Sequence, residues 1–166
     1  MKSFGMVSTS GILGYGFPEA SLQAAMARSP RMIGVDGGSV DPGPHYLGSG
    51  KPFASVMAIR RDLRLMLRAA MAARIPMVIG TCGGAGGEPH LQLTAGLVRE
   101  IAREEGMHFK LALIHAEQDK AFVNKRLAEG GVKPLSSMGP LDPATVNAGL
   151  AASSRHSRVG ADGVNC

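Results

Sequence analysis

The sequence predicts an α/β fold, an open, mostly parallel, doubly wound (Rossmann-like) sheet with helices on both faces. Three observations carry that expectation. Short apolar runs alternate with longer amphipathic stretches along the chain, the order that builds crossover units. The run Ile75-Pro-Met-Val-Ile79 is apolar almost throughout, as a parallel strand buried on both faces is. Glycine or polar residues follow each apolar run, where such folds place their ligand-binding loops. At 166 residues the chain reads as a single α/β domain over 1–150, followed by a disordered tail over 151–166 that shows no periodicity.

The first unit is a strand at 3–9, a loop containing Gly11, Gly14 and Gly16, and a helix opened by Pro18 that runs to about residue 28. Gly14-Tyr-Gly16 begins a dinucleotide fingerprint, but Glu19 stands at its third glycine position, which argues against a nicotinamide or flavin cofactor. A second strand, 31–36, delivers Asp36 at its carboxyl end. The loop that follows, 37–50, is longer than the ~12 residues of an ordinary connection. It carries Ser39, Asp41, His45 and Tyr46 on a backbone stiffened by Pro42 and Pro44, so it reads as an ordered binding loop. Gly48-Ser-Gly-Lys51 is no ATP loop, because Pro52 replaces the metal-binding hydroxyl residue and no strand precedes it.

A helix over 53–74 puts Ile59, Leu63, Met66, Leu67 and Ala70 on one face and Arg60, Arg61, Arg64 and Arg68 on the other. The strand at 75–79 leads into a glycine-dense loop and a helix with Leu91, Thr94, Leu97, Val98 and Ile101 facing inward. A fourth strand is expected at 109–115, a helix at 117–129, a short fifth strand at 132–135, and a helix at 143–150 capped by Asp142.

The loop between 78 and 90 has the layout of an anion cradle. Gly83, Gly84, Gly86 and Gly87 carry no Cβ, so a ligand can approach their N–H groups. Pro89 suits the first turn of a helix whose amino end offers free donors and a positive dipole. His90, in that first turn, reads either as a donor that polarises a carbonyl or as an exposed surface histidine. Cys82 lies inside the loop, where a thiolate nucleophile is the less favoured reading and a small buried residue the more favoured one.

The strand ends should bring Asp36, Asp41, His45, His90, His115 and Glu117 to one rim. Imidazoles and carboxylates converging there suit acid/base work or a divalent metal, although no HExxH or CxxC spacing fixes a metal geometry. Asp36, His115 and Glu117 are the expected catalytic residues, with His115 and Glu117 on one side of a strand as a base and its orienter. Ser39, Asp41, His45, Gly83, Gly84, Gly86, Gly87 and His90 are the expected substrate-binding set.

Composition narrows the classes. The net charge of +5 is concentrated in the helix at 53–74, where Arg60, Arg61, Arg64, Arg68 and Arg74 face only Asp62. A solvated basic face explains this better than nucleic acid, since no aromatic stacking platform accompanies it. Two cysteines, one of them the last residue, exclude a disulfide framework. No apolar run approaches the ~20 residues that cross a bilayer, and the amino terminus lacks the regions of a signal peptide, so a cytoplasmic protein is expected.

The stretches 36–50, 80–90 and His115-Ala-Glu-Gln-Asp-Lys120 together resemble the N-terminal part of the acyclic terpene utilisation (AtuA-type) family. The resemblance spans roughly 6–150 and implies a bacterial cytoplasmic protein linked to catabolism of branched or carboxylic substrates. The combined expectation is an enzyme acting on a small carboxylate or acyl-CoA-type substrate held by the glycine loop, with a divalent metal or CoA as the cofactors it admits. The alternative is a non-catalytic ligand-binding or partner subunit, and a homo-oligomer or a larger complex stays open.

Overall fold

Three parallel strands in the order β1-β2-β3 form the sheet: β1 (Met6–Ser8), β2 (Met32–Asp36) and β3 (Met77–Gly80). The structure is a computed structural model, and it describes residues 4–38, 46, 49–82, 84, 86–134 and 139–148. Between and after the strands run α1 (Glu19–Met26), α2 (Val56–Ala73), α3 (Glu88–Glu104), α4 (Lys120–Ala128) and α5 (Pro143–Ala148). The chain is therefore α/β with an open parallel sheet, as its alternating pattern predicts.

Register decides which face is covered. Met6 pairs with Met32, Val7 with Ile33, Ile33 with Met77, and Val35 with Ile79. Because side chains alternate across a strand, Val7, Ile33, Val35, Met77 and Ile79 share one face. Ile33, Val35 and Ile79 are buried there in one cluster with Leu22 of α1, Ile59, Leu63 and Met66 of α2, and Leu91, Leu97 and Ile101 of α3. The opposite face carries Met6, Ser8, Met32, Gly34 and Val78; Met6 is 56% exposed. Strands added in order by right-handed crossovers put their helices on one side. The described residues thus cover one face of the sheet where the sequence led us to expect two. The order 1-2-3 also contains no reversal, so the usual ligand crevice at a switch point is not formed by these strands.

α2 forms where its sequence allows. Ser55 caps it by accepting from the Ala58 N–H at 3.2 Å, and Arg74 ends it in the left-handed conformation. Its apolar face is the expected one, with Ile59, Leu63, Met66, Leu67 and Ala70 all buried. The basic face is not simply solvated. Arg60 binds Glu100 at 2.7 Å and also Glu104, Arg64 binds Glu104, and Arg68 binds Glu105 at 2.7 Å. Arg64 Nε lies 3.0 Å from Glu105 Oε1 as an ion pair without hydrogen-bond alignment. Of the five arginines that raised the nucleic-acid question, Arg60, Arg64 and Arg68 are therefore paired with the carboxyl end of α3, and Arg61 with Asp62.

The hydrogen bond from Arg68, aided by its charge and that of Arg64, holds the Glu105 carboxyl below the ordinary carboxylate range against the desolvation that opposes it. A carboxyl depressed in the folded state contributes stability that is present above its unfolded value, about 4.3, and is lost as pH falls through the lowered value. Thermal melts in low salt should accordingly drop below about pH 4, with part of that drop missing in Arg68→Ala. An unchanged pH profile in the variant would show that this ion pair contributes nothing.

The expected strand at 109–115 is not formed, nor is one at 132–134, while Leu135 lies outside the described residues. Phe109, Leu111 and Ile114 stand 38%, 42% and 44% exposed. The segment runs beside β3 but is not paired to it, so β3 keeps a free edge among the described residues. α4 begins later than expected because Asp119 caps it, accepting from the Phe122 N–H at 3.0 Å. α4 is tied to α5 by Lys120 to the Asn147 carbonyl at 3.0 Å and by Asn124 to the Asn147 side chain at 2.9 Å.

Candidate functional site

Three loops meet above the carboxyl ends of the strands, and carboxylates of the chain hold each one. The first, between β1 and α1, is held by Asp62 of α2, a residue that is fully buried. Its Oδ2 accepts from the Gly14 and Gly16 N–H groups, both at 3.0 Å, and its Oδ1 from Arg61 at 2.8 Å. Both glycines take positive φ, 96° and 81°, a conformation open to glycine at little cost. The Arg61 guanidinium also donates to the Phe17 carbonyl at 2.9 Å and lies 5.2 Å from the Phe17 ring centre. A loop that resembles a phosphate turn in sequence is thus closed by an internal anion.

The second loop is held by Asp36 at the end of β2. Its Oδ1 accepts from the Gly38 N–H at 3.1 Å and from the Thr81 hydroxyl, which ties the β2 loop to the β3 loop. The Gly37 N–H reaches the Gly80 carbonyl, and the Leu13 N–H the Asp36 carbonyl at 2.7 Å. A Cβ on Gly38 would sit 1.6 Å from the Gly84 carbonyl oxygen, so the two loops touch backbone to backbone. Asp36, expected to be catalytic, therefore acts here as a carboxylate that stabilises the turn before Gly37 and Gly38.

The third loop departs most from expectation. Gly86 has φ 69°, but Thr81 and Cys82 also enter the left-handed region at 50° and 36°, a cost of about 1–3 kcal/mol each for such residues. Gly84 lacks a Cβ because one would lie 2.8 Å from the His90 ring. His90 itself is fully buried, with Nε2 2.9 Å from the Lys51 carbonyl and Nδ1 without a partner. It is a core histidine and neither of the things anticipated for it, a carbonyl-polarising donor or a surface residue. Cys82 is fully buried, in line with the favoured reading of it as a small buried residue.

At the amino end of α3 the helix N-cap is Gly87, with no side-chain cap. The Glu88 N–H donates to Glu117 Oε1 at 2.8 Å, while the His90 and Leu91 N–H groups turn back to the Gly87 carbonyl at 2.9 and 3.0 Å. Pro89 has no N–H to offer. Glu117 thus occupies the outward donor that the sequence reserved for a ligand. His115 Nδ1 lies 2.7 Å from Glu88 Oε2, and Gln92 donates to Glu88 Oε1 at 2.6 Å. A carboxylate only accepts, so Nδ1 carries the proton and Nε2 is the basic atom of His115. The His115 side chain is 56% exposed, so that atom is accessible.

The expected catalytic set is therefore redistributed. His115 is oriented by Glu88 and not by Glu117, Glu117 serves the helix end, and Asp36 serves the loops. No group of three or more His, Cys, Asp or Glu able to hold a metal occurs among the described residues. Ser39, Asp41, His45 and Gly83 lie outside the described residues. Gly84, Gly86 and Gly87 act in loop packing and at the helix start, as given above.

Glu88 and Asp62 were missed by sequence reasoning. Glu88 had one available signal, an acidic residue in the first turn of a helix beside Pro89. Asp62 had another, a lone acid on a basic helix face. No family model matches the chain, and no curated protein or solved structure does. No helix among the described residues is long and apolar enough to cross a membrane.

Proposed function

We propose that the chain is an enzyme of small-molecule catabolism that acts by acid/base chemistry on an anionic carboxylate or acyl-CoA-type substrate at the amino end of α3. The observation that carries this is the pair His115 Nδ1 and Glu88 Oε2 at 2.7 Å, set beside Glu117 on the Glu88 N–H. In this reading Glu117 stands where the substrate carboxylate or thioester oxygen binds, His115 Nε2 takes a proton from the substrate, and Glu88 steadies the imidazolium that results. The resemblance to the AtuA-type family, with a bacterial cytoplasmic setting, belongs to the same proposal. A divalent metal or CoA is admitted as cofactor and not assigned.

A second reading has its own support. The uncovered sheet face around Met6 and the free edge of β3 suit a partner subunit whose doubly wound sheet is completed by other chain. Turnover assays against short carboxylates and CoA thioesters, with and without added Mg²⁺ or Zn²⁺, separate the two. Turnover that disappears in His115→Ala supports the enzyme; no turnover with any of them, together with a stable hetero-complex, supports the subunit.

A further inference from the structure

A cavity of about 360 Å³ lies between the free edge of β3, the inner faces of α2 and α3, and the segment 109–114. Its walls are aliphatic, with Leu67, Met71, Ile79, Val98 and Leu113 among them. Lys110 also lines it, and one buried hydroxyl stands out within the apolar wall. Thr94 is 3% exposed, its residue lines the cavity, and its Oγ1 has no hydrogen-bond partner.

A buried hydroxyl left without a partner costs about 1–3 kcal/mol. A threonine within a helix ordinarily escapes that cost by bonding a carbonyl one turn back. A ligand that brings both aliphatic surface and one neutral oxygen answers both features at once.

We propose that this cavity binds a medium-length aliphatic molecule bearing a single hydroxyl or carbonyl oxygen, which hydrogen-bonds to Thr94 Oγ1. The cavity is of the size of a small-molecule site. The chain lies along α3 between β3 and the segment 109–114, and its burial takes the place of the strand pairing that the segment does not make. The binding stands independently of proton transfer at His115.

The test is calorimetric titration of the full chain with 1-octanol. Saturable one-to-one binding is expected, weakened about threefold to tenfold in Thr94→Val, which keeps the shape and removes the hydroxyl. Ala95→Phe, which fills the cavity, should abolish binding, and His115→Ala should leave it unchanged. No saturable binding in the wild type, or equal affinity in Thr94→Val, overturns the proposal. If Ala95→Phe fails to fold, the near-isosteric Thr94→Val decides alone. Slow amide exchange across 109–114 in the absence of ligand also overturns it, because the segment would then be paired to β3 and the cavity closed.

Discussion

Replacing His115 with alanine is expected to lower turnover by about two to four orders of magnitude, the usual contribution of a positioned general base, while leaving substrate binding intact. The expectation follows from which nitrogen is free to act. Glu88 accepts the Nδ1 proton at 2.7 Å, which fixes the tautomer and presents Nε2 outward. Glu88→Gln keeps a hydrogen-bonding partner but loses the charge that steadies an imidazolium. Since the pair is largely exposed, with the two side chains 56% and 36% accessible, that charge is worth about 0.2–1 kcal/mol. The Glu88→Gln loss should therefore be about fivefold or less, appearing in kcat and not in KM. Wild-type turnover in His115→Ala would remove His115 from the chemistry.

The largest expected effect on stability is at Asp62. Asp62→Ala strands the Gly14 and Gly16 N–H groups and the Arg61 guanidinium together, and a buried charge network broken from one side typically costs about 3–5 kcal/mol. Arg61→Ala is expected to cost about 1 kcal/mol, because its side chain is 46% exposed and solvent screens it. Chemical denaturation of both variants reads these losses as midpoint shifts at constant slope. A loss below about 1 kcal/mol for Asp62→Ala would mean that the loop finds other donors and acceptors, and that the buried carboxylate does not fasten it.

Local pattern made the helices and the first three strands legible. The 3.6-residue spacing of Ile59, Leu63, Met66 and Ala70 marks the buried face of α2, and the spacing of Leu91, Thr94, Val98 and Ile101 that of α3. The strand expected at 109–115 failed because apolar content gives the propensity for a strand, whereas pairing depends on the neighbour's edge. Glycine was misread for a related reason. Gly38 and Gly84 are small because backbone and a histidine ring pack against them, and absence of a Cβ looks the same in sequence whether protein or ligand fills the space. The candidate site was half legible: His115 and Glu117 are at the amino end of α3, but their partners Glu88 and its N–H come from 27 and 29 residues away. Such pairings are set by the sheet's geometry, which residue spacing does not encode.

The central claim is that the amino end of α3 takes an anion and that Glu117 holds its place. Calorimetric titration of butyrate into the wild type and Glu117→Gln tests it directly. A neutral amide competes less well than a carboxylate for the Glu88 N–H and the helix dipole, so the variant should bind butyrate about fivefold more tightly, as a difference of about 1 kcal/mol gives. Equal or weaker binding in Glu117→Gln, or no binding in either protein, would contradict it.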